Sequence, residues 1–143
     1  QGVKVIEFNA RFGDPETEVV LPLLESDAYD VFYGIATGQL STVNCQLSWR
    51  NEATIGVVLA SKGYPGSYAK GAVIEGTEQF DGPVFHMGTK NDNGVLKTNG
   101  GRVMMCIATG KDITTAREKV YKEIEKIHCD NLFYRKDIAH WAL

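Results

Sequence analysis

The feature that most constrains the fold is a succession of short apolar segments between residues 46 and 109, separated by turn signals. Runs of this length rich in apolar and β-branched residues predict β-strands. Asn93-Gly94 stands between two of the runs and is a strong signal for a β-hairpin. The predicted strands cover 46–50, 53–61, 72–75, 84–89, 95–98 and 102–109.

One amphipathic helix follows this strand-rich stretch. Its apolar residues recur at spacings of three and four, as on one face of a helix. They are Ile113, Ala116, Val120, Ile124 and Ile127. Thr115 and Glu118 have the spacing of a capping box at its start. Residues 132–134 predict a last strand, and residues 137–142 predict a short terminal helix.

The first 42 residues predict a strand followed by two helices. Residues 3–9 alternate between apolar and polar types, which is typical of a strand. Asp14-Pro15 predicts a helix start, because aspartate caps free amides and proline fits the first turn. Pro22 should kink or shorten that helix. Ser26 and Gly38 have the residue types that begin and end a second helix.

The sequence therefore divides into residues 1–42 and residues 43–143. The first part offers too little apolar surface to fold alone. The chain has no initiating methionine and begins at a predicted buried strand, so we expect it to be a piece of a longer protein.

Composition excludes several functional classes. Of 143 residues, 43% are hydrophobic, which is typical of a globular protein. The net charge of −3 and the lack of a basic block give no electrostatic reason to expect a nucleic-acid partner. The three cysteines are widely spaced, which disfavours a disulfide framework or a zinc site. The sequence predicts neither a membrane helix nor a signal peptide.

The strand predicted at 3–9 carries polar residues suited to a metal. Glu7 and Asn9 point to the same face of a strand, and their oxygen atoms are ligands that Mg²⁺ prefers. Arg11 follows and offers a planar cation for phosphate or carboxylate oxygens. The same alternation is also what any half-exposed strand shows, and Asp14 has the alternative role of a helix cap.

Two glycine-containing loops are further candidates. Lys62, Gly63 and Tyr64 belong to a loop that can lie against a phosphorylated substrate, although the sequence favours a tight turn between two strands. Gly101 allows close backbone approach, and Arg102 beside it could reach a phosphate. The isolated His86 and the apolar surroundings of Cys106 favour structural roles.

The string EFNARFGDPETEVVLPLLESD resembles the end of the ATP-binding domain in the glycinamide ribonucleotide synthetases, the phosphoribosylamine–glycine ligases of the ATP-grasp superfamily. The resemblance continues in order through LASKGYPGSYAKG, VFHMGT, TNGGRV, ATG and YRKDI, and covers nearly the whole chain. It implies an α+β fold. The end of an ATP-grasp domain, one strand and two helices, would precede a small β-barrel-like sandwich domain with one long helix.

The resemblance also implies roles for individual residues. Glu7 and Asn9 match the ligands of Mg²⁺ (or Mn²⁺) that hold the ATP phosphates. Arg11 matches the arginine near the reacting groups, and Asp14 matches an acidic position near the amine substrate. The implied substrates are ATP, glycine and 5-phosphoribosylamine, joined in the cytosol during purine synthesis. The chain lacks the upstream ATP-binding loops, so we expect it to be inactive without the rest of the polypeptide.

Small departures and two alternatives remain at this point. Met87 and Ala139 stand where the family commonly has alanine and glycine, and Met104 to Cys106 are bulkier than usual; all are interpreted as packing changes.

A carrier-like or interaction module would present Lys90 at a hairpin tip, but the flanking pattern of a modified lysine is missing. Another ATP-grasp amine ligase is the second alternative. Both a single-function enzyme and a fused multifunctional one fit the resemblance.

Overall fold

The structure is a computed structural model that describes residues 2–39 and 47–143. Three α-helices occur in these ranges: α1 (Thr17–Val20), α2 (Ala28–Ala36) and α3 (Ile113–Ile124). The strands are β1 (Ala53–Ser61), β2 (Val84–His86), β3 (Thr89–Asp92), β4 (Val95–Thr98), β5 (Arg102–Gly110) and β6 (Leu132–Phe133). Short 3-10 turns lie at Leu21–Leu23, Thr77–Gln79 and His140–Ala142.

The main sheet is antiparallel, with the strand order β2-β5-β1-β6. The long strands β1 and β5 form its centre, and Val57 lies opposite Cys106. Strands β3 and β4 form a separate hairpin, whose turn is Asn93-Gly94 as the sequence predicts. The α+β class is therefore confirmed.

One face of the main sheet forms the core with α3. Val57 and Leu59 on β1 and Cys106 on β5 are buried there against Val120 and Ile124 of the helix. Every second residue of each strand faces this side, which is the periodicity that the sequence shows. The helix begins at Asp112, whose carboxylate accepts a hydrogen bond from Thr115 N. Asp112 is therefore the cap, and Thr115 lies inside the first turn.

The opposite face of the sheet is covered by the N-terminal part of the chain. Gly56 on β1 leaves room for Val19 of α1: a Cβ at position 56 would lie 2.7 Å from Val19 Cγ1. Met105 and Ile107 on β5 also face this side and are buried. The polypeptide after α1 is tied to the segment before β1, because Arg50 N donates to Leu23 O at 2.9 Å.

Several predicted elements are confirmed. The strands at 53–61, 95–98 and 102–109, the last strand, and the helices α2 and α3 lie where the sequence places them, within a few residues. The strand predicted at 84–89 is instead divided into β2 and β3. Gly88 causes the break because its backbone packs against Gly100: a Cβ on Gly88 would lie 2.7 Å from Gly100 Cα.

The prediction of a strand at 3–9 is wrong. Residues 2–9 have no strand assignment, and Ile6 and Phe8 are almost fully exposed. A strand requires a neighbour for its backbone hydrogen bonds, and no described residue pairs with this segment. The alternation of residue types is present, but the pairing that would make it a strand is not.

Two other predicted strands reduce to isolated bridges. Residues 72–75 contribute only the bridges of Val73 with Lys97 and of Glu75 with His128. In the predicted strand 46–50, Trp49 bridges Leu24, and residue 46 lies outside the described ranges. Each segment is held by several backbone hydrogen bonds, but these do not continue into a regular strand ladder.

The predictions of which residues cap the first two helices, made from residue type alone, are also wrong. Asp27 caps α2, and Ser26 accepts a hydrogen bond from Ser48 N instead. The N-cap of α1 is Glu16, so Asp14 is not a cap. Pro22 shortens this helix as predicted, since a 3-10 turn replaces it from Leu21. The short helix predicted at 137–142 is a 3-10 turn at His140–Ala142.

Ala139 packs against the core, as the sequence predicts, and its backbone is unusual as well. Its φ is +60°, in the left-handed region that glycine adopts without steric cost. None of the helices in 2–39 and 47–143 is long and apolar enough to span a membrane.

Candidate functional site

An open pocket of about 470 Å³ brings together four of the residues singled out in the sequence. It lies where the segment before α1 meets the loop after β1, the β2–β3 connection and the turn into β5. The four residues are Asp14, Tyr64, Gly101 and Arg102. The rest of the lining is supplied by Met87, Gly88, Thr89, Asn99 and Gly100.

Arg102 and Asp14 are joined across this pocket. Arg102 Nη1 donates to the backbone O of Asp14 at 2.9 Å, and Nη2 donates to its Oδ2 at 3.3 Å. Both side chains are partly exposed, so water screens the charge pair. The contact nevertheless brings a cation and a carboxylate to one wall of the pocket.

The glycine wall of the pocket is held rigidly by Ser61. This serine is fully buried, and its N and Oγ donate to the carbonyls of Gly101 and Gly100, both at 2.8 Å. A Cβ on Gly101 would lie 2.2 Å from the ring of Tyr64, so only glycine fits beneath that ring. The amides of Gly100 and Gly101 have no hydrogen-bond acceptor among the described residues.

Lys62 and Gly63 lie next to the pocket in sequence but do not line it. Gly63 has φ +96° and a Cβ there would lie 2.2 Å from Ser67 O, so the turn itself requires glycine. Lys62 N donates to Asn131 O at 2.8 Å, while its side chain is exposed. The loop thus forms a tight turn that brings Tyr64 over Gly101.

Glu7, Asn9 and Arg11 lie on the exposed N-terminal segment, outside the pocket lining. Asn9 Nδ2 donates to Glu7 Oε1 at 3.0 Å, so the two side chains lie side by side. Glu7 Oε2 and Asn9 Oδ1 have no protein partner among the described residues. Arg11 Nη1 donates to Phe12 O at 2.6 Å.

The donor set of Glu7 and Asn9 fits a hard divalent cation. One carboxylate and one amide oxygen leave most positions for water and phosphate oxygens, as Mg²⁺ prefers. No group of three histidine, cysteine, aspartate or glutamate side chains in 2–39 and 47–143 could hold a metal. A metal ion at Glu7 and Asn9 would therefore need further ligands besides these two side chains.

Sequence reasoning missed Thr89 and Asn99, which line the pocket beside Arg102. Thr89 Oγ1 lies 3.0 Å from His86 Nδ1, and no partner of the Asn99 side chain is found in the described part of the chain. Asn99 lies inside the quoted TNGGRV block, and its place in that block was the sequence signal that could have identified it. Thr89 likewise ends the quoted VFHMGT block, but the strand break that exposes it was not predicted.

The remaining candidates do not form reactive sites. Burial raises the pKa of the Cys106 thiol to about 12, so this thiol is inert at neutral pH. Lys90 lies within β3, opposite Lys97, and not at the hairpin turn. A larger open groove of about 580 Å³ is lined by residues 73–79 and 94–96 and by His128, without lysine or arginine, and does not suit an anionic substrate.

Comparisons with known proteins agree with one another. The family model for the C domain of phosphoribosylglycinamide synthetase matches residues 54–141. The chain is 51% identical to the phosphoribosylamine–glycine ligase of Halalkalibacterium halodurans over 99% of its own length. It is 46% identical over 97% of its length to the enzyme of that name from Caldanaerobacter subterraneus subsp. tengcongensis.

A solved structure extends the likeness to three dimensions. The crystal structure of phosphoribosylamine–glycine ligase from Thermotoga maritima superposes with a TM-score of 0.75 at 37% identity and covers 94% of this chain. The chain spans about a third of the length of each of these relatives, 33% in all three cases.

Proposed function

The chain belongs to the phosphoribosylglycinamide synthetase family, and on that premise we propose that it is the C-terminal part of an ATP-dependent carbon–nitrogen ligase. The reaction joins glycine to 5-phosphoribosylamine and gives glycinamide ribonucleotide for de novo purine biosynthesis in the cytosol. The observation that carries this proposal is the likeness of nearly the whole chain to such ligases, together with the pocket around Asp14 and Arg102.

Glu7 and Asn9 would hold Mg²⁺ or Mn²⁺ bound to the ATP phosphates. Their adjacent side chains with free oxygen atoms support this assignment. Such an ion supplies charge neutralisation for phosphoryl transfer. Two protein ligands leave room in the octahedral coordination of Mg²⁺ for phosphate oxygens and water.

The proposed reaction has two steps. The γ-phosphoryl group of ATP passes to the glycine carboxylate, which gives glycyl phosphate and ADP. The nitrogen of phosphoribosylamine then attacks the acyl carbon, phosphate leaves, and the amine loses a proton. Arg11 would stabilise the charge on the transferring phosphoryl group, because its guanidinium is permanently charged and exposed.

The pocket suits the amine substrate. Asp14 provides a carboxylate near which an amine can bind, and Arg102 with the free amides of Gly100 and Gly101 provides donors for anionic or hydroxyl oxygens. Tyr64 covers the glycine wall. Lys62 and Gly63 are proposed as flanking substrate contacts, with the exposed Lys62 ammonium free to approach a phosphate.

The rest of the polypeptide is the proposed partner of this chain. We assign residues 1–42 to the end of an ATP-grasp domain and residues 43–143 to a β-barrel-like C-terminal domain. Exposed apolar side chains at Val3, Ile6 and Phe8 support a neighbouring domain that covers the N-terminal segment. Alone, the chain should neither bind ATP tightly nor turn over, and glycine-dependent ADP release by the chain alone would contradict this.

The test uses the longest natural polypeptide that contains this chain. ADP formation is followed with glycine, phosphoribosylamine and Mg²⁺ for the wild type, for Glu7→Gln and for the control Glu118→Gln, an exposed position on α3. We expect activity that requires both substrates and falls about 100-fold or more only in Glu7→Gln. Undiminished activity would remove Glu7 from the site, and an inactive folded wild type would refute the ligase proposal.

A further inference from the structure

The segment that carries Glu7, Asn9 and Arg11 has few contacts with the rest of the protein. Residues 2–12 are exposed throughout. The Phe12 ring touches the Phe32 ring edge-on, with centroids 5.7 Å apart. Beyond that contact, the next attachment toward the sheet is the pair of hydrogen bonds from Arg102 to Asp14.

Arg102 projects from a backbone position that is held on both sides. It is the first residue of β5 and pairs with Ala60 on β1. The residues on either side are fixed: Val103 is fully buried, and the carbonyl of Gly101 accepts the hydrogen bond from Ser61 N. The guanidinium therefore starts from a backbone position that cannot shift without disturbing the core.

The geometry of the contact needs the planar fork of arginine. Two different nitrogens of Arg102 hold two different groups of Asp14, the backbone carbonyl and the carboxylate. Such a grip fixes the backbone and the side chain of Asp14 together. A lysine has a single nitrogen and cannot reproduce the two separated donors.

Stability is not the main consequence of this contact. The side chains of Arg102 and Asp14 are 37% and 44% exposed, and ion pairs at such exposure contribute little to folding. Its position matters more, because it joins residues 88 apart in the chain. The same guanidinium also borders the pocket, so it touches both parts of the proposed site.

We infer that Arg102 is a positioning residue that anchors Asp14, and with it the end of the segment bearing Glu7, Asn9 and Arg11, at the proposed amine-binding pocket. The expected effect of Arg102 on catalysis rests on the proposed function, whereas its hold on Asp14 rests only on the observed contacts. The main role of the guanidinium is then to bind Asp14, and contact with a substrate is secondary.

The kinetic test uses the longest natural polypeptide with Arg102→Ala, Arg102→Lys, Asp14→Ala and the double alanine variant. We expect kcat to fall about 10- to 100-fold in Arg102→Ala, with the KM for phosphoribosylamine little changed, since misplacement of reacting groups reduces turnover. The lysine variant should recover only part of the loss. Asp14→Ala removes only the carboxylate half of the contact, because Arg102 Nη1 also donates to the backbone O of Asp14. The effects of the two alanine changes should therefore combine to less than their sum.

A second measurement does not depend on activity. Amide hydrogen exchange at residues 13–20 is compared in the wild type, in Arg102→Ala and in the control Arg135→Ala, which removes an exposed arginine–aspartate pair confined to one local turn. We expect faster exchange at 13–20 only in Arg102→Ala, with an unchanged melting temperature.

Two results would overturn the inference. One is a raised KM for the amine at unchanged kcat, with additive effects of the two alanine changes, which would make Arg102 a direct substrate ligand. The other is unchanged exchange at residues 13–20. If the wild type makes no ADP, the ligase proposal fails, while the exchange measurement still decides whether Arg102 holds the segment.

Discussion

Glu123 is the residue that links this fold to acid stability. Its side chain is buried, and Oε2 accepts hydrogen bonds from Lys126 Nζ and from Asp81 N, which lower the pKa of the carboxyl. A lowered folded pKa stabilises the protein above the ordinary glutamate pKa of about 4.3, and this stabilisation is lost as pH falls through the folded value. The hydrogen-bonded carboxyls of Asp112 and Asp137 also have lowered pKa values and act in the same direction.

We therefore expect Glu123→Gln to destabilise the protein at neutral pH and to reduce the loss of stability as the pH falls below the ordinary glutamate pKa of about 4.3. The measurement is the urea midpoint at each pH. Glu118→Gln, an exposed change on the same helix, serves as the control and should leave the pH dependence unaltered. Equal pH dependence in wild type and Glu123→Gln would show that other carboxyls govern acid unfolding.

Ala139 offers a second test at a single residue. Its φ of +60° costs an alanine roughly 1–2 kcal/mol, whereas glycine adds only about 0.5–1 kcal/mol of unfolded-state entropy. Ala139→Gly should therefore raise the free energy of unfolding by up to about 1 kcal/mol. Ala53→Gly, in strand β1 with ordinary backbone geometry, should lower it. A loss of stability in Ala139→Gly would show that the packing of the Ala139 methyl group against the core outweighs the relief of backbone strain.

Individual site residues were predictable where chemistry is local in sequence. Glu7 and Asn9 lie two positions apart, and the structure does place their side chains together. The pairing of Asp14 with Arg102 could not be predicted, because it depends on how the N-terminal segment crosses the sheet. Asp14 was expected to cap a helix, yet its position next to proline does not decide which residue begins the first turn.

At the scale of elements, the packing of α1 on the main sheet depends on the absence of a Cβ at Gly56. A Cβ at Gly56 would lie 1.9 Å from Met105 Cε and 2.7 Å from Val19 Cγ1. The methionine end can move, but the short branched valine cannot, so Gly56→Ala should cost about 1–3 kcal/mol by overpacking. Urea unfolding measures this cost.

The contact itself is tested in a Val19→Ala background. If the clash with Val19 causes the cost, Gly56→Ala should be less destabilising there than in the wild type, since the obstructing methyl groups are gone. An equal cost in both backgrounds would mean that α1 does not rest on Gly56.

Elements with strong periodicity were predicted well, and those that depend on distant pairing were not. The strands β1 and β5 and the helix α3 carry enough apolar residues to form one core, so their patterns were decisive. Residues 3–9 show an equally regular alternation but no described strand lies beside them. The division of 84–89 depends on the approach of Gly88 to Gly100, which no local pattern shows.

For the whole molecule, α1 packs across the proposed division near residue 42 onto the main sheet. Met105 and Ile107 lie on the sheet face that α1 covers, and both are buried. Removing residues 1–46 would expose this apolar face to water, whereas removing residues 1–11 would delete only a segment that is exposed where it is described.

We therefore expect a chain that begins at residue 47 to melt at a lower temperature and to bind a hydrophobic dye, while a chain that begins at residue 12 behaves like the full chain. Cys106 provides an independent measure, because its buried thiol reacts only after the core opens. Alkylation of Cys106 should be faster in the shorter chain alone. Equal alkylation in all three chains would mean that the sheet and α3 form a complete core and that the N-terminal segment belongs to the neighbouring domain.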